Sequence, residues 1–174
     1  MKLYLANVSA ISLKVIETLV NDGSIEVLPV GRQEAARDLS AIMEEFLRRE
    51  REITRETKDM MSRIKLPYDE FGSQKSKLSK RKKHPSGGDI EKFLSRQFIE
   101  SFMISNFVDE VYATDDYMYK KMLTILRDFH VDENEVREEA MSRITNISKG
   151  TVEYEIALQS AIREVKQKRG LIKN

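Results

Sequence analysis

The densest chemistry-bearing pattern in the sequence is KSKLSKRKKH at residues 75–84, where Lys75, Lys77, Lys80, Arg81, Lys82 and Lys83 stand with no acid among them. Such a run concentrates positive potential and can hold phosphate backbones by displacing counterions, without reading base sequence. No aromatic residue interleaves these lysines, so bases find no obvious stacking platform there. The plainer reading is a solvated linker held extended by its own repulsion. A second basic group, Lys166, Lys168, Arg169 and Lys173, is explained more simply as the cation-rich end of a helix.

Other candidates are thin. His130 stands near Asp132, Glu133 and Glu135, which loosely suggests a cation site, but an exposed turn with a capping aspartate accounts for the same letters. Asp115 and Asp116 fit the negative first turn of a helix better than a pair of catalytic carboxylates, and Tyr117 and Tyr119 suit one exposed and one packed ring. With two histidines and no cysteine, the chain has few ligands or nucleophiles to converge. No glycine-rich phosphate loop is present. The expectation is no catalytic residue, no metal and no cofactor.

The elements that must position these residues follow a repeat. Shifted by 83 residues without a gap, VIETLVNDGSIEVL lies over FIESFMISNFVDEV, and Leu39, Ile42, Met43, Phe46, Ile53 and Ile64 fall on Met122, Ile125, Leu126, Phe129, Val136 and Ile147. An apolar set kept in phase over so long a stretch predicts a duplicated helical unit. The fold expected is all-α: two tandem units of three to four helices, residues 1–71 and 89–174, joined by a basic linker or frayed helix at 72–88.

Within each unit an amphipathic helix opens, carrying Val8, Ile11, Val15 and Leu19 in the first copy and Ile90, Leu94, Phe98 and Phe102 in the second. Gly23 and Asn106 occupy matching positions, and both residue types readily take the left-handed conformation that closes a helix. They are expected to be equivalent stops, with Gly170 a third. The short segments SIEVL and FVDEV are read as extended or as packed loop. A long helix is predicted from about Gln33 to Ile64, with Glu44–Arg48 and Glu45–Arg49 as favourable pairs. The second copy breaks instead at HVDENEV, where Asp132 starts a helix carrying Val136, Ala140, Ile144 and Ile147. A last helix is capped by Thr151 and buries Ile156, Leu158, Ala161, Ile162 and Val165. The first unit loses this apolar periodicity at residues 72–88, which leaves an open apolar face in which Met43, Met60 and Met61 would suit an adaptable contact.

The closing segment ISKGTVEYEIALQSAIREVKQKRGLI, in which a glycine and an acid precede a tyrosine and a basic helix ends at Gly-Leu-Ile, resembles a bacterial family known as domain of unknown function 507 (DUF507). VIETLVNDGSIEV is similar to that family's opening helix and turn. The resemblance implies a helical, duplicated bacterial protein with no assigned activity. It also implies a basic helix ending in a Gly-hydrophobic pair near residue 88, where His84, Pro85 and Ser86 stand instead.

Composition sets the remaining bounds. In 174 residues, 30 basic side chains nearly balance 29 acidic ones, so electrostatic function must arise from local distribution. Three prolines and seven glycines leave long stretches uninterrupted. The absence of cysteine is compatible with a reducing cytoplasm. The opening MKLYLANVSAISLKV has a diluted apolar run and no small-residue cleavage site, so export is not expected, and no stretch approaches a membrane span. The leading functional expectation is a non-catalytic interaction or scaffold module that holds a protein partner or a second copy of itself. The runner-up is a nucleic-acid-associated protein tethered by residues 75–83.

Overall fold

The structure, a computed structural model, describes residues 2–145, 147–148 and 151–172. It is mostly helical with one small two-stranded sheet. Among the described residues no helix is long and apolar enough to cross a membrane.

Helix α1, Val8–Asn21, buries Val8, Ile11, Val15, Ile16 and Leu19 along one face, as three- and four-residue spacing requires. It ends through a left-handed turn. Gly23 takes φ +74°, its N–H reaches the Val20 carbonyl at 3.2 Å, and the Ser24 N–H reaches Leu19 at 2.8 Å. This is the paired closure that satisfies two orphan carbonyls. A Cβ on Gly23 would meet nothing within 4 Å, so a side chain there is opposed by backbone strain alone. Gly23→Val should lower stability by about 1 kcal/mol or more, read as a lower denaturant midpoint at unchanged m-value.

Strand β1, Ile25–Val27, then pairs antiparallel with β2, Val108–Val111, setting Ile25 opposite Val111 and Glu26 opposite Glu110. The pairing continues where the Leu28 N–H reaches the Phe107 carbonyl at 3.1 Å. Gly31 follows at a close approach, where a Cβ would lie 3.1 Å from the Phe107 Cβ.

Helix α2 runs unbroken over Arg32–Arg63, within a residue or so of the span its periodicity predicts. The ion pairs differ from those expected: Arg48 reaches back to Glu45 at 2.7 Å and forward to Glu52. Residues 72–88, expected as a linker or frayed helix, begin with an ordered helix, α3, Phe71–Arg81, which lies against the second half of α2. Leu78 and Ser79 are buried there with Ile53, Thr57 and Met61 of α2. The apolar face expected to stay open is therefore largely covered: Met43 and Met61 are buried, while Met60 is half-buried and lines the cleft between α2 and α3.

Helix α4, Asp89–Phe102, ends earlier than the repeat predicts. Its cap residue Met103 is still right-handed at φ −70°, and Asn106 is not among the residues with positive φ. The expected equivalence of Asn106 with Gly23 does not hold. The turn is fixed from outside instead: the Ser105 hydroxyl donates to Asp38 of α2 at 2.8 Å and accepts from the Phe107 N–H at 3.3 Å.

Helices α5, Asp115–Asp128, and α6, Glu133–Ser142, start at Thr114 and Asp132, whose side chains accept from the N–H of Tyr117 and Asn134. Helix α6 stops at Ser142, so Ile144 and Ile147 fall beyond the helix that was expected to carry them. Helix α7, Val152–Lys168, starts at Thr151, which accepts from Tyr154 at 3.1 Å, and closes at Gly170 with φ +67°. Its buried face is Tyr154, Leu158, Ala161 and Val165, whereas Ile156, expected to be buried, points to solvent.

One apolar cluster draws on α1, α2, α4 and α5 together, so the two expected units share a core. A second cluster lies between α6 and α7. The two are tied by a polar knot, in which the Tyr4 hydroxyl donates to Glu133 and the Lys166 ammonium donates to the same carboxylate at 2.8 Å. Burial and the Glu133 carboxylate push the Tyr4 hydroxyl up to about 12. Burial works against the Lys166 ammonium, but Glu133 and Tyr4 hold it above its ordinary value. Both groups have raised values in the folded protein, so their contribution is complete below pH 10 and is lost as pH rises towards 12. A near-ultraviolet titration should show one tyrosine ionising last, and that late step should be missing in Tyr4→Phe.

Candidate functional site

The second half of α2 and α3 form a two-helix arm. Three of the six basic residues named from the sequence pair with carboxylates of α2: half-buried Lys75 reaches Glu50 at 3.2 Å, exposed Lys82 pairs with Glu56, and exposed Arg81 lies 3.9 Å from the same carboxylate. These pairs flank the buried Leu78. The other three, Lys77, Lys80 and Lys83, are exposed, and no ion pair neutralises them among the described residues.

The fold adds cations that the linear run does not contain. Arg49, Arg51, Arg55, Lys58, Arg63 and Lys65 of α2 and its end are also exposed without an ion-pair partner among the described residues. Residues 48–83 carry thirteen basic and six acidic side chains, a net charge of +7 in a chain whose total is +1. The rest of the chain is therefore net acidic. In linear sequence this concentration is hidden because Glu52, Glu56 and Asp59 interrupt it. A cleft of about 500 Å³ runs between the helices, with Arg55, Arg63, Arg81 and Lys82 on its walls beside Glu56 and Asp59.

Both helices of the arm end through left-handed lysines, Lys65 at φ 53° and Lys83 at φ 52°. Closing bonds run from Leu66 to Met61 at 3.0 Å and from His84 to Ser79 at 2.9 Å. Glycine would occupy such positions with less strain. At the tip, Tyr68 is 76% exposed, and its ring is stacked on Phe71 with centroids 5.6 Å apart and planes 8° from parallel. The sequence offered no aromatic among the lysines; the turn between α2 and α3 supplies one at the end of the arm. At the base, His84 is buried against Phe46 with centroids 4.5 Å apart, and its Nε2 has no hydrogen-bond partner. Burial holds this imidazole below its ordinary value, so it adds no charge to the arm at neutral pH.

The other candidates do not converge. His130 is exposed, Asp132 caps α6, Glu135 is exposed, and Glu133 turns to Tyr4 and Lys166. Asp116 pairs with Lys120 at 2.6 Å in the first turn of α5. Of the second basic group, Lys166 is bound to Glu133, Arg169 reaches Glu139 at 2.7 Å, Lys168 is exposed, and Lys173 lies outside the described residues.

A family model described as protein of unknown function (DUF507) matches residues 1–171. The chain belongs to the DUF507 family. No curated protein matches it. Since the match spans nearly all of this DUF507 chain, the arm lies inside the family's own extent and is not an appendage to it.

Proposed function

We propose that this DUF507 protein is a non-catalytic, cytoplasmic, nucleic-acid-associated protein built on an internal duplication, and that its α2–α3 arm holds phosphate backbones without reading sequence. The observation that carries this reading is the set of nine exposed, unpaired cations on one ordered two-helix arm of an otherwise acidic molecule. Backbone binding needs no more than such a surface, because its free energy comes largely from released counterions.

The duplication is supported by contact pattern as well as by sequence. Exchanging α1 with α4, α2 with α5 and β1 with β2 maps the packing pairs α1–α2 and α1–α5 onto α4–α5 and α4–α2, and maps the strand pair onto itself. Ser12 and Ser95, 83 residues apart, are both fully buried. By the same offset the inner positions Lys75, Leu78 and Lys82 of α3 match Leu158, Ala161 and Val165 of α7. Ion pairs cross both hairpins, but at these three positions the first carries two lysines where the second carries aliphatic residues, as expected if the first has been turned towards a charged ligand.

A protein-interaction role is the second reading, favoured by an apolar patch where the β1–α2 and α4–β2 loops meet. Val30 is 89% and Ile104 83% exposed there, beside Leu28 and Met103. The deciding experiment is fluorescence anisotropy of the whole protein with a random-sequence oligonucleotide at low and physiological salt. Binding in roughly the 1–100 μM range that weakens steeply with salt is expected, and no binding at either salt rejects the nucleic-acid reading.

A further inference from the structure

The tip of the arm holds an aromatic ring in a condition that charge alone does not explain. Tyr68 follows Pro67 at the start of a single 3-10 turn, Tyr68–Glu70, that links α2 to α3. One face of its ring lies on Phe71, and the residue is 76% exposed. Stacking from within fixes the ring plane while leaving the outer face to solvent. No hydrogen bond to its hydroxyl is formed among the described residues. An exposed tyrosine held in this way offers a flat π surface whose conformational entropy has already been reduced.

Its surroundings say what would lie on that surface. Arg63 and Lys65 precede the ring, Lys65 in the left-handed conformation that a lysine adopts only at a cost, and Arg63 and Ile64 line the cleft between α2 and α3. Proceeding from the tip, cations continue along both helices: Lys58, Arg55 and Arg51 on α2, and Lys77 and Lys80 on α3. A line of positive charge that ends in an aromatic platform is the combination by which proteins hold unpaired strands: the charges track the backbone, and the ring takes a base. A duplex cannot use the ring, because its bases are already stacked and paired. Asp69 and Glu70 immediately follow the ring and oppose a bilayer, whose anionic headgroups would surround the whole tip, more than a single strand, whose phosphates can run away from them along the cations of the helices.

We infer that the α2–α3 arm binds single-stranded nucleic acid in preference to duplex, with one base stacked on the outer face of Tyr68 and the adjoining phosphates held by Arg63, Lys65 and the outward lysines of α3. The inference rests on the phosphate-binding reading of the arm and adds the form of the ligand. Binding is sequence-tolerant, since every base presents a π face.

The test uses the full chain with three probes: a twelve-nucleotide single strand carrying one 2-aminopurine, the same sequence as a duplex, and vesicles containing an anionic phospholipid. The wild type is expected to bind the single strand more tightly than the duplex, with a change in 2-aminopurine fluorescence on binding. Tyr68→Ala should weaken single-strand binding roughly 5- to 150-fold, the fold-change that about 1–3 kcal/mol per stacked base represents. It should leave duplex binding and the salt dependence of both unchanged. Tyr68→Phe keeps the ring and should keep the single-strand preference and the fluorescence change. Equal binding of single strand and duplex, or no effect of Tyr68→Ala, overturns this inference while leaving the phosphate-binding reading intact. Failure to bind either nucleic acid, including binding to vesicles only, overturns both. Because the ring lies at an exposed tip outside both apolar clusters, Tyr68→Ala should unfold at the wild-type midpoint, so a loss of binding cannot be assigned to loss of fold.

Discussion

Replacing Lys77, Lys80 and Lys83 together by glutamine should flatten the dependence of nucleic-acid affinity on salt by about 2 units of slope for a single strand and about 2.7 for a duplex, at roughly 0.7 and 0.9 per lost phosphate contact. Between 50 and 200 mM salt the wild type should then lose roughly 20- to 40-fold more affinity than the variant. The three side chains are exposed and unpaired, so the circular dichroism spectrum and unfolding midpoint should not move. The informative control is Lys75→Gln with Lys82→Gln. These lysines bind Glu50 and Glu56, so their loss should loosen α3 from α2 and shift the midpoint while changing the salt slope much less. An identical slope in wild type and triple variant would remove α3 from the binding surface.

Phe98→Ala should cost about 3–5 kcal/mol, the range for deleting a buried aromatic ring. Phe98 is fully buried in the shared cluster, which also contains Ile11, Leu19, Leu39 and Met122 from the other helices. Against a total stability of about 5–15 kcal/mol, such a loss brings the protein close to unfolding at ordinary temperature. Because the core is common to both halves, amide exchange should accelerate in α1 and α2 as much as in α4 and α5. Acceleration confined to α4 and α5 would mean that residues 1–71 hold themselves together. The α6–α7 pair, with its own apolar cluster and a polar tie to the rest through Tyr4 and Glu133, should be affected least.

The long helices could be read from sequence because their stripes are local: Ile11, Val15 and Leu19, or Leu39, Met43 and Phe46, repeat at helical spacing whatever lies opposite. Helix α3 gave no such signal, since its inward positions are Lys75, Leu78 and Lys82 and two of the three are matched by carboxylates about 26 residues away. Periodicity in hydropathy cannot register a face that meets its neighbour largely through charge pairs. The two strand segments were legible only as extended or packed loop. Each is too short to show alternation, and what makes them strands is the partner in the other half. Asn106 had the residue type of a left-handed stop, but Ser105 and Asp38 fix that turn from a distance. For the candidate site, six basic residues stood out in one run, and three of them are paired with carboxylates of α2. The missing cations of α2 were visible in principle as a regional excess of charge, and Tyr68 became relevant only when the turn placed it at the end of the arm.

The pairing of Val27 with Val108 has a consequence for synthesis. On a ribosome adding about 5–20 residues per second, α1 and α2 emerge several seconds before the strand and helices that complete their core. For that interval the apolar faces of both helices and an unpaired strand edge are open to other nascent chains. Pairing β1 with β2 also closes a long loop, which slows the final assembly further. Early encounter with a chaperone, or with a polyanion engaging the arm whose α2–α3 ion pairs lie within residues 50–82, would shelter the first half until the second arrives.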